Sequence, residues 1–294
     1  MKYLYYPGCS LEGSAQEYNI STKAVLKALG VELLELSDWT CCGASAAAAV
    51  SPLLALALPA RNLAIAEKVS DVSDMLVPCS ACYLNLKKVE EIIRKEPGVL
   101  AKLNAVLETE NLKLSGRIRV RHLLDVLSRD IDVNRIRSLA TKPLSKMCIA
   151  PYYGCQCLRP YPVFDNPERP VSMNHLIEAI GARVHPWTMG GICCGASNLN
   201  THLSVGISLV TALLKEARGA DAIVTVCPMC QLNLEGYQHK VSEACNEDLQ
   251  IAVLYLPQLL GIALGLPNTD IRLDLNLSAN KAFSKENSQL PFSR

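Results

Sequence analysis

The sequence predicts an α/β fold made of two tandem, pseudo-symmetric units, each a βαβ arrangement around a parallel sheet. Short β-rich runs alternate with segments of helical apolar spacing along the 294 residues, which is the pattern of parallel α/β proteins. One cysteine pattern also occurs twice in the same order: a lone Cys after Gly, then Cys-Cys-Gly, then Cys-x-x-Cys. The offset between the copies is nearly constant and too long for a solenoid, so we expect a tandem duplication.

The first unit contains the elements of a βαβ arrangement. In chain order we predict a strand at 2–6, a helix at 15–29 that ends at Gly30, a strand at 31–36, a strand at 75–77 and a helix from Ala81. Glycine after the last apolar helical position commonly ends a helix, because it adopts left-handed backbone angles without strain. The order strand, helix, strand therefore predicts parallel pairing.

The second unit repeats this order. We predict a strand at 147–150, a helix at 172–180 that ends at Gly181, a strand at 182–185, a strand at 223–226 and a helix from Met229. Short strings also agree in register: Cys-Tyr-Leu-Asn-Leu at 82–86 matches Cys-Gln-Leu-Asn-Leu at 230–234, and Tyr6 before Gly8 matches Tyr152 before Gly154. These matches support the duplication independently of the cysteines.

The predicted boundaries follow from these alignments. We expect the first repeat at 1–145, the second at 146–267, and a polar, aperiodic tail at 268–294 that is mobile or docks a partner. Helical periodicity at about 96–140 has no evident counterpart after the second Cys-x-x-Cys, which predicts a helical connection. A last strand and helix are predicted at 249–266.

The cysteines are placed to form sites. Cys9, Cys79, Cys155 and Cys227 each follow a predicted strand. Ligand sites of parallel α/β sheets form at the carboxyl ends of strands, so distant cysteines should gather at one rim of each sheet. The first set is Cys9, Cys41, Cys42, Cys79 and Cys82, and the second is Cys155, Cys193, Cys194, Cys227 and Cys230.

Composition argues against several other classes of function. Lys and Arg number 29 and Asp and Glu 28, and this net charge of +1 indicates no broad basic surface for nucleic acid or anionic lipid. The first residues lead directly into the first motif, without the apolar region of a signal peptide. We therefore expect a cytoplasmic protein, in which clustered cysteines are metal ligands or catalytic thiols rather than disulfides.

One apolar stretch raises the question of a membrane span. No charged residue lies between Asp38 and Arg61, and residues 44–60 are largely Ala and Leu. Pro52 and Pro59 argue against a span, and the matching stretch at 196–202 in the second repeat is polar. We predict a buried helical segment and no span.

The number of cysteines per set favours a polynuclear metal centre. Four thiolates satisfy a zinc ion or a cubane iron-sulfur cluster, whereas each set has five. Adjacent thiolates such as Cys41 and Cys42 suit different irons of one cluster better than a single ion. Gly43 and Gly195 should let the backbone approach a bulky inorganic core. The sequence thus predicts two Rossmann-like βαβ units, each carrying a Cys-Cys-Gly iron-sulfur site, with zinc as the alternative.

The remaining reactive residues receive weaker assignments. Cys148 and Cys245 are predicted to be structural, and the role of Cys157, two residues after Cys155, is left open. His202 is the best candidate for a proton donor because it follows Cys194 closely, although no catalytic residue is assigned. Arg61 and Arg159 lie near motifs, where a solvated role is favoured over binding of an acidic substrate group. No flavin or nucleotide motif occurs in the chain.

These motifs resemble the Cys-Cys-Gly family, and specifically the B subunit of heterodisulfide reductase. The resemblance extends from Tyr6-Pro7-Gly8-Cys9 through Tyr152-Tyr153-Gly154-Cys155 to Leu232-Asn233-Leu234, with both cysteine sets intact. It implies that each set holds a noncubane [4Fe-4S] cluster through its five cysteines, and that the two clusters face each other across the substrate cavity.

The resemblance also implies an activity and partners. Two clusters would deliver the two electrons that reductive cleavage of a disulfide requires, or accept them in the reverse reaction. The electrons would come from two partner proteins of a heterodisulfide reductase complex, its flavin-bearing A subunit, then its ferredoxin-like C subunit. A small-molecule or carrier-bound disulfide would be the substrate. In methanogens that substrate is the mixed disulfide of coenzyme M and coenzyme B.

Two other functions remain open. Cys-Cys-Gly proteins also occur as iron-sulfur electron-transfer subunits of quinone-linked dehydrogenases. A zinc-stabilised assembly protein without catalysis is the third possibility. Those quinone-linked chains often carry a fused ferredoxin domain, and because no ferredoxin-type cysteine run occurs in this sequence, we expect disulfide chemistry rather than the quinone-linked role.

Overall fold

The computed structural model describes residues 1–69, 72–199 and 201–278. The strands are β1 (Lys2–Tyr5), β2 (Glu32–Glu35), β3 (Asp74–Val77), β4 (Arg119–His122), β5 (Cys148–Tyr152), β6 (Arg183–Val184), β7 (Ala222–Thr225) and β8 (Ala252–Tyr255). The helices are α1 (Cys9–Glu12), α2 (Gln16–Ala28), α3 (Ala46–Val50), α4 (Pro52–Lys68), α5 (Ser80–Lys95), α6 (Pro97–Leu107), α7 (Leu123–Arg129), α8 (Val133–Leu139), α9 (Asn174–Ala179), α10 (Leu203–Glu216), α11 (Pro228–Gly236), α12 (Gln238–Cys245), α13 (Leu256–Ala263) and α14 (Asn268–Ile271). Short 3₁₀ turns lie at Glu108–Glu110, Ala196–Asn198 and Leu273–Leu275.

The strands form two four-stranded parallel sheets of identical topology. The first has the order β2-β1-β3-β4 and the second the order β6-β5-β7-β8. Every residue of β5, β7 and β8 is buried, as expected for parallel strands covered on both faces. The predicted α/β fold with two tandem repeats is confirmed.

Of the two hydrophobic clusters among the described residues, the larger joins the two sheets and the smaller lies in the second repeat. A single cluster of buried side chains includes Tyr5 and Leu76 from the first sheet and Val224 and Leu254 from the second. At its centre the ring of Tyr18, on α2, stacks on that of Tyr255 with centroids 4.1 Å apart. The repeats are therefore packed through their interiors, while the repeat boundaries at 145 and 267 stay predictions.

The prediction of a helical connection at about 96–140 is wrong in one respect, because this segment contains the strand β4. This strand pairs with β3 and leads directly into α7, as β8 pairs with β7 and leads into α13. The segment therefore does have a counterpart in the second repeat. The strand was not predicted because Arg119 and Arg121 interrupt its apolar pattern. Asp74 and Asp125 neutralise the two charges in the folded protein, and sequence periodicity does not show this pairing.

The first part of the predicted polar tail is also different from expectation. Residues 268–278 pack against the protein, with Ile271 and Leu273 buried and α14 lying against α2. The side chain of Asn276 is buried and donates to the carbonyl oxygen of Val253. These few apolar residues are too widely spaced for a periodic signal; the rest of the predicted tail lies outside the described residues.

The uncharged stretch at 44–60 is helical, as predicted, but only partly buried. Ala60 and the residues after it pack into the core, whereas Val50, Leu53 and Leu54 are exposed. The prediction of a buried segment is wrong for the first turns, because α3 lies at the surface beside the first Cys-Cys-Gly. Among the described residues, none of the helices has the length and apolar character needed to cross a bilayer.

Candidate metal centres

All ten cysteines of the two sets lie at or after the carboxyl ends of parallel strands. Cys9 begins α1 after β1, and Cys155 follows β5. Cys79 and Cys227 occupy the N-cap positions of α5 and α11. As predicted, the Cys-x-x-Cys pairs are therefore at helix starts, where backbone N–H groups point towards the sulfur atoms and favour thiolates.

The first site joins cysteines that are distant in sequence. The Sγ atoms of Cys9 and Cys41 are 3.7 Å apart, and those of Cys42 and Cys82 are 3.3 Å apart. The Cys82 thiol also hydrogen-bonds with that of Cys79. The five predicted ligands of the first set are thus neighbours in space.

The second site has the same arrangement. The Sγ atoms of Cys194 and Cys230 are 3.6 Å apart, which matches the pair Cys42 and Cys82. The Cys193 thiol hydrogen-bonds with those of Cys194 and Cys155, and the Cys230 thiol with that of Cys227. The five cysteines form one continuous chain of sulfur contacts.

Asparagines and backbone amides support both Cys-Cys-Gly turns in the same way. Asn85 Nδ2 donates to the carbonyl oxygen of Cys42 at 3.0 Å, and Asn233 Nδ2 to that of Cys194 at 2.6 Å. The backbone amide of the glycine in each Cys-Cys-Gly turn also donates to a cysteine sulfur; Gly43 N lies 3.5 Å from Cys41 Sγ. The repeated Leu-Asn-Leu string is the sequence signal for these asparagines, although spacing alone does not reveal their role.

Two tyrosines hold the segments before the Cys-Cys-Gly turns. Tyr6 Oη donates to the carbonyl oxygen of Thr40, and Tyr152 Oη donates to that of Ile192, both at 2.7 Å. Each phenol is largely buried, so the bond fixes the strand end to the cysteine loop. The matched positions of Tyr6 and Tyr152 in the sequence therefore mark a structural element of the site.

Glycine is required where the backbone approaches the sulfur atoms. Gly8 has φ +75°, and a Cβ there would lie 2.8 Å from Cys82 Sγ. Gly154 has φ +67°, and its Cβ would lie 3.0 Å from Cys230 Sγ. At Gly43 a Cβ would instead meet Ala47 and Leu58, so that glycine serves helix packing as well as a left-handed turn.

Each site contains a thiol prepared for ionisation. A hydrogen bond from Cys82 lowers the pKa of Cys42 to about 7, assisted by the backbone amide of Ala44. A hydrogen bond from Cys230 likewise lowers the pKa of Cys227 to about 7. Thiolates are the form in which cysteine binds metals, so both sites favour the ligating state near neutral pH.

The two sites differ in exposure. Cys9 and Cys41 are exposed, whereas their counterparts Cys155 and Cys193 are partly buried. The segment after the first Cys-Cys-Gly forms α3 at the surface, and the segment after the second forms the 3₁₀ turn at Ala196–Asn198. The first site is therefore more open to solvent than the second.

Buried residues between the sites were not predicted. Tyr18 Oη lies 3.0 Å from the carbonyl oxygen of Pro78 and 3.2 Å from that of Val226, the residues before Cys79 and Cys227. Cys157, left open by sequence, is fully buried in the core and hydrogen-bonds to the carbonyl oxygen of Tyr153 at 3.2 Å. Only the packing of the two repeats brings these groups together, so no sequence signal could have found them.

The other candidate residues lie outside the sulfur clusters. His202 is exposed at the N-cap of α10, and its role as proton donor stays a prediction. Arg61 pairs with Asp38 and Glu110, and its side chain is only 15% exposed, so the solvated role expected for it is wrong. Arg159 donates to the carbonyl oxygen of Gly191 at 2.9 Å and thereby ties down the loop before the second Cys-Cys-Gly. Cys148 lies on β5 and Cys245 ends α12, and their structural role stays a prediction.

The donor sets suit an iron-sulfur group. Five soft thiol donors per site, backbone N–H groups directed at sulfur and glycines at the closest approach are the features that such clusters use. The sulfur atoms meet in pairs and chains, and in the part of the chain that the structure describes no group of three or more His, Cys, Asp or Glu side chains is arranged to hold a single metal ion.

Comparison with known proteins identifies the repeats. The family model for the cysteine-rich domain, CCG, matches the chain twice, at residues 3–87 and 149–235. The 8-methylmenaquinol:fumarate reductase membrane anchor subunit of Wolinella succinogenes is 33% identical over 94% of this chain and 96% of its own length. The B subunit of the ferredoxin/F(420)H(2)-dependent CoB-CoM heterodisulfide reductase of Methanosarcina acetivorans is 29% identical over 95% of this chain and 94% of its own length.

A solved structure shares the fold. The crystal structure of a hypothetical protein from Helicobacter pylori superposes with a TM-score of 0.73 at 18% identity, covering 94% of this chain and 52% of that one. At 18% identity this similarity shows a shared fold over both repeats and carries no information about function.

Proposed function

The chain belongs to the cysteine-rich CCG domain family, which includes the B subunit of heterodisulfide reductase, and we propose that it performs the catalytic step of a thiol–disulfide oxidoreductase. The observation that carries this proposal is the presence of two complete five-cysteine sites at corresponding edges of two sheets that pack against each other. One site would suffice for single-electron transfer, whereas cleavage of one disulfide consumes two electrons and two protons and yields two thiols.

The proposed ligands are the ten cysteines of the two sites. Cys9, Cys41, Cys42, Cys79 and Cys82 would hold one [4Fe-4S] cluster, and Cys155, Cys193, Cys194, Cys227 and Cys230 the other, both of the noncubane type. The clusters would supply one electron each to the disulfide. The chain itself contributes the thiolates, the N–H groups of Gly43 and Gly195 on ligand sulfur, and the asparagines that fix both Cys-Cys-Gly turns.

Partners and location belong to the same proposal. Electrons would reach this chain from the flavin-bearing A subunit through the ferredoxin-like C subunit of a heterodisulfide reductase-type complex in the cytoplasm. The exposed edge of the first site at Cys9 and Cys41 is the more accessible point of entry for electrons from a partner. The substrate would be a small-molecule or carrier-bound disulfide.

A second candidate function is iron-sulfur electron transfer within a quinone-linked reductase or dehydrogenase. The observation that favours it is the 33% identity to the Wolinella succinogenes protein over nearly the full length of both chains. In that role the clusters would pass electrons between a quinol and a partner without binding sulfur substrates. Both candidates use the same ten ligands, so only the response to substrates separates them.

The test is EPR spectroscopy of the anaerobically purified protein after additions of substrate. Disulfide chemistry predicts a paramagnetic signal that changes when coenzyme M or another small thiol is added to the oxidised protein, and that is weaker in Cys194→Ser, which keeps only the first site. Quinone-linked transfer predicts that a menaquinol analogue reduces the clusters and that thiols leave the signal unchanged, a result that would reject the first proposal. Ser21→Ala, which replaces a buried serine of α2, is the control for non-specific effects of substitution on the EPR signal.

A further inference from the structure

A buried serine of the first site reaches the second site. Ser80 lies between Cys79 and Cys82 in the first Cys-x-x-Cys and is 1% exposed. Its Oγ atom is 3.1 Å from the carbonyl oxygen of Val226, the residue directly before Cys227. The hydroxyl of the first Cys-x-x-Cys thus contacts the residue before the second Cys-x-x-Cys.

A buried histidine orients this serine. His122, at the end of β4, is fully buried, and its Nε2 atom lies 3.2 Å from Ser80 Oγ. The His122 Nδ1 atom accepts the backbone N–H of Leu124 at 3.2 Å, so the neutral ring carries its proton on Nε2, which faces Ser80 Oγ and the carbonyl oxygens of Pro78 and Val226. Burial lowers the pKa of His122 to about 3, which keeps the ring neutral.

Two aromatic rings hold His122 in this position. The ring of Phe164 stacks on the imidazole with centroids 6.0 Å apart, and Tyr83 meets it edge-on at 5.3 Å. Because Phe164 comes from the second repeat and Tyr83 from the first, the imidazole is clamped by both. The position of the imidazole beside Ser80 is therefore fixed by side chains of both repeats.

The proton of Ser80 is consequently directed towards the second site. The Nε2 atom of His122 faces the oxygen of Ser80, and the hydroxyl donates to the carbonyl oxygen of Val226, with the thiols of Cys227 and Cys157 as neighbouring hydrogen-bond partners. The first Cys-x-x-Cys carries Ser80 where the second carries Pro228, which has no side-chain donor. At this position, therefore, only the first repeat supplies a side-chain donor to the other site.

We propose that Ser80, positioned by His122, sets the reduction potential of the second cluster from within the first repeat. A hydrogen bond near a ligand sulfur stabilises the reduced, more negative cluster and so raises its potential. Because Pro228 stands at the position of Ser80 in the second Cys-x-x-Cys, the two clusters are tuned differently despite their matched ligands. Ser80 is a positioning residue for the second site, and the inference rests on the ten ligands proposed above.

The test is an EPR-monitored redox titration of holoprotein variants. Ser80→Ala is expected to shift the midpoint potential of the second cluster downwards and to leave that of the first unchanged. Cys194→Ser, which removes a ligand of the second site, assigns the signals. Ser80→Thr retains the hydroxyl and should restore the wild-type value. The control Ser21→Ala makes the same chemical change at a fully buried serine on α2, whose Oγ donates to the carbonyl oxygen of Glu17 within its own helix.

Equal midpoint potentials in Ser80→Ala and Ser21→Ala, or equal shifts of both clusters, would overturn the inference. If Ser80→Ala fails to assemble the second cluster, His122→Phe replaces it: the ring is kept, the donor to Ser80 is lost, and a smaller downward shift of the second cluster is expected. Unchanged midpoints in that variant also reject the inference. Absence of iron-sulfur clusters from the wild type would instead reject the proposed function, so the two failures are distinguishable.

Discussion

The close approach of backbone to sulfur requires glycine at position 8 of the first site. Its φ of +75° requires glycine, and so does the distance of 2.8 Å that would separate an added Cβ from Cys82 Sγ. Gly8→Ala should therefore displace Cys82 and abolish the first cluster, leaving about half of the iron, because the second site is built from other residues. Iron content per folded chain is the measurement.

The control for this substitution is Gly98→Ala. Gly98 lies in α6, and a Cβ there would meet nothing within 4 Å. This variant should keep the wild-type iron content. Full iron in Gly8→Ala would show that the close contact with Cys82 does not decide cluster assembly.

Glu17 gives the molecule a pH dependence unrelated to the cysteines. Burial raises the pKa of its carboxyl from 4.5 to about 7, with Glu235 and Asp274 adding to the effect and Arg272 opposing it. Between these two values the folded protein binds more protons than the unfolded chain, so stability falls as pH rises from about 4.5 to 7. Glu17→Gln should remove this loss, and its urea midpoint should exceed that of the wild type by more at pH 8 than at pH 5. Parallel pH profiles of the two proteins would contradict the assignment.

At the scale of elements, the sequence predicted those with strong periodicity and missed one with charged residues. The strands before both cysteine motifs and the helices that end at Gly30 and Gly181 lie within a few residues of their predicted positions. The strand β4 was missed because Arg121 is buried only with the help of Asp125 and Asp130, and such compensation depends on the tertiary fold. The helical prediction there was right for α6, α7 and α8.

The segment after α14 protects the edge of the second sheet. Val253, on the edge strand β8, donates to Ser278 Oγ at 2.9 Å and accepts from Asn276 Nδ2 at 3.0 Å. Asn276 also accepts from Gln258 Nε2 at 2.7 Å. Side chains of the C-terminal segment therefore pair with the backbone of the edge strand, where the carbonyl oxygen of Val253 also accepts from Gln231 Nε2.

Loss of this cover should destabilise the fold. Asn276→Ala removes a partner of the buried amide of Gln258 and of the carbonyl of Val253, which should cost about 1–3 kcal/mol of unfolding free energy. Urea denaturation measures this. Asn134→Ala, at an exposed position on α8 where its side chain accepts from Arg137, should change stability little. Equal stabilities of the two variants would show that residues 276–278 do not secure β8.

At the scale of the whole molecule, the shared core predicts that both repeats unfold together. The two tryptophans report on one repeat each: Trp39 contacts Tyr6 at 5.3 Å and Trp187 contacts Tyr152 at 6.1 Å, measured between ring centroids. In Trp39→Phe and Trp187→Phe the remaining fluorescence should change over the same urea range as the far-UV circular dichroism. Two separate transitions would show that the repeats are independent folding units.

The packing of the repeats also limits what the sequence can predict about the site. The grouping of ten cysteines into two sets follows from their order along the chain and from the carboxyl-edge rule for parallel sheets. The contacts of Ser80 with His122 and Val226 depend on how one sheet is placed against the other. No periodicity or spacing encodes that placement, so the asymmetry between the sites became visible only in the structure.

The central claim is that each repeat holds its own iron-sulfur cluster. The most direct test is the content of iron, acid-labile sulfide and zinc per chain in anaerobically purified wild type and Cys194→Ser. Two four-iron clusters predict roughly eight irons in the wild type and about four in the variant. Zinc in place of iron, or an iron content that Cys194→Ser leaves unchanged, would contradict it.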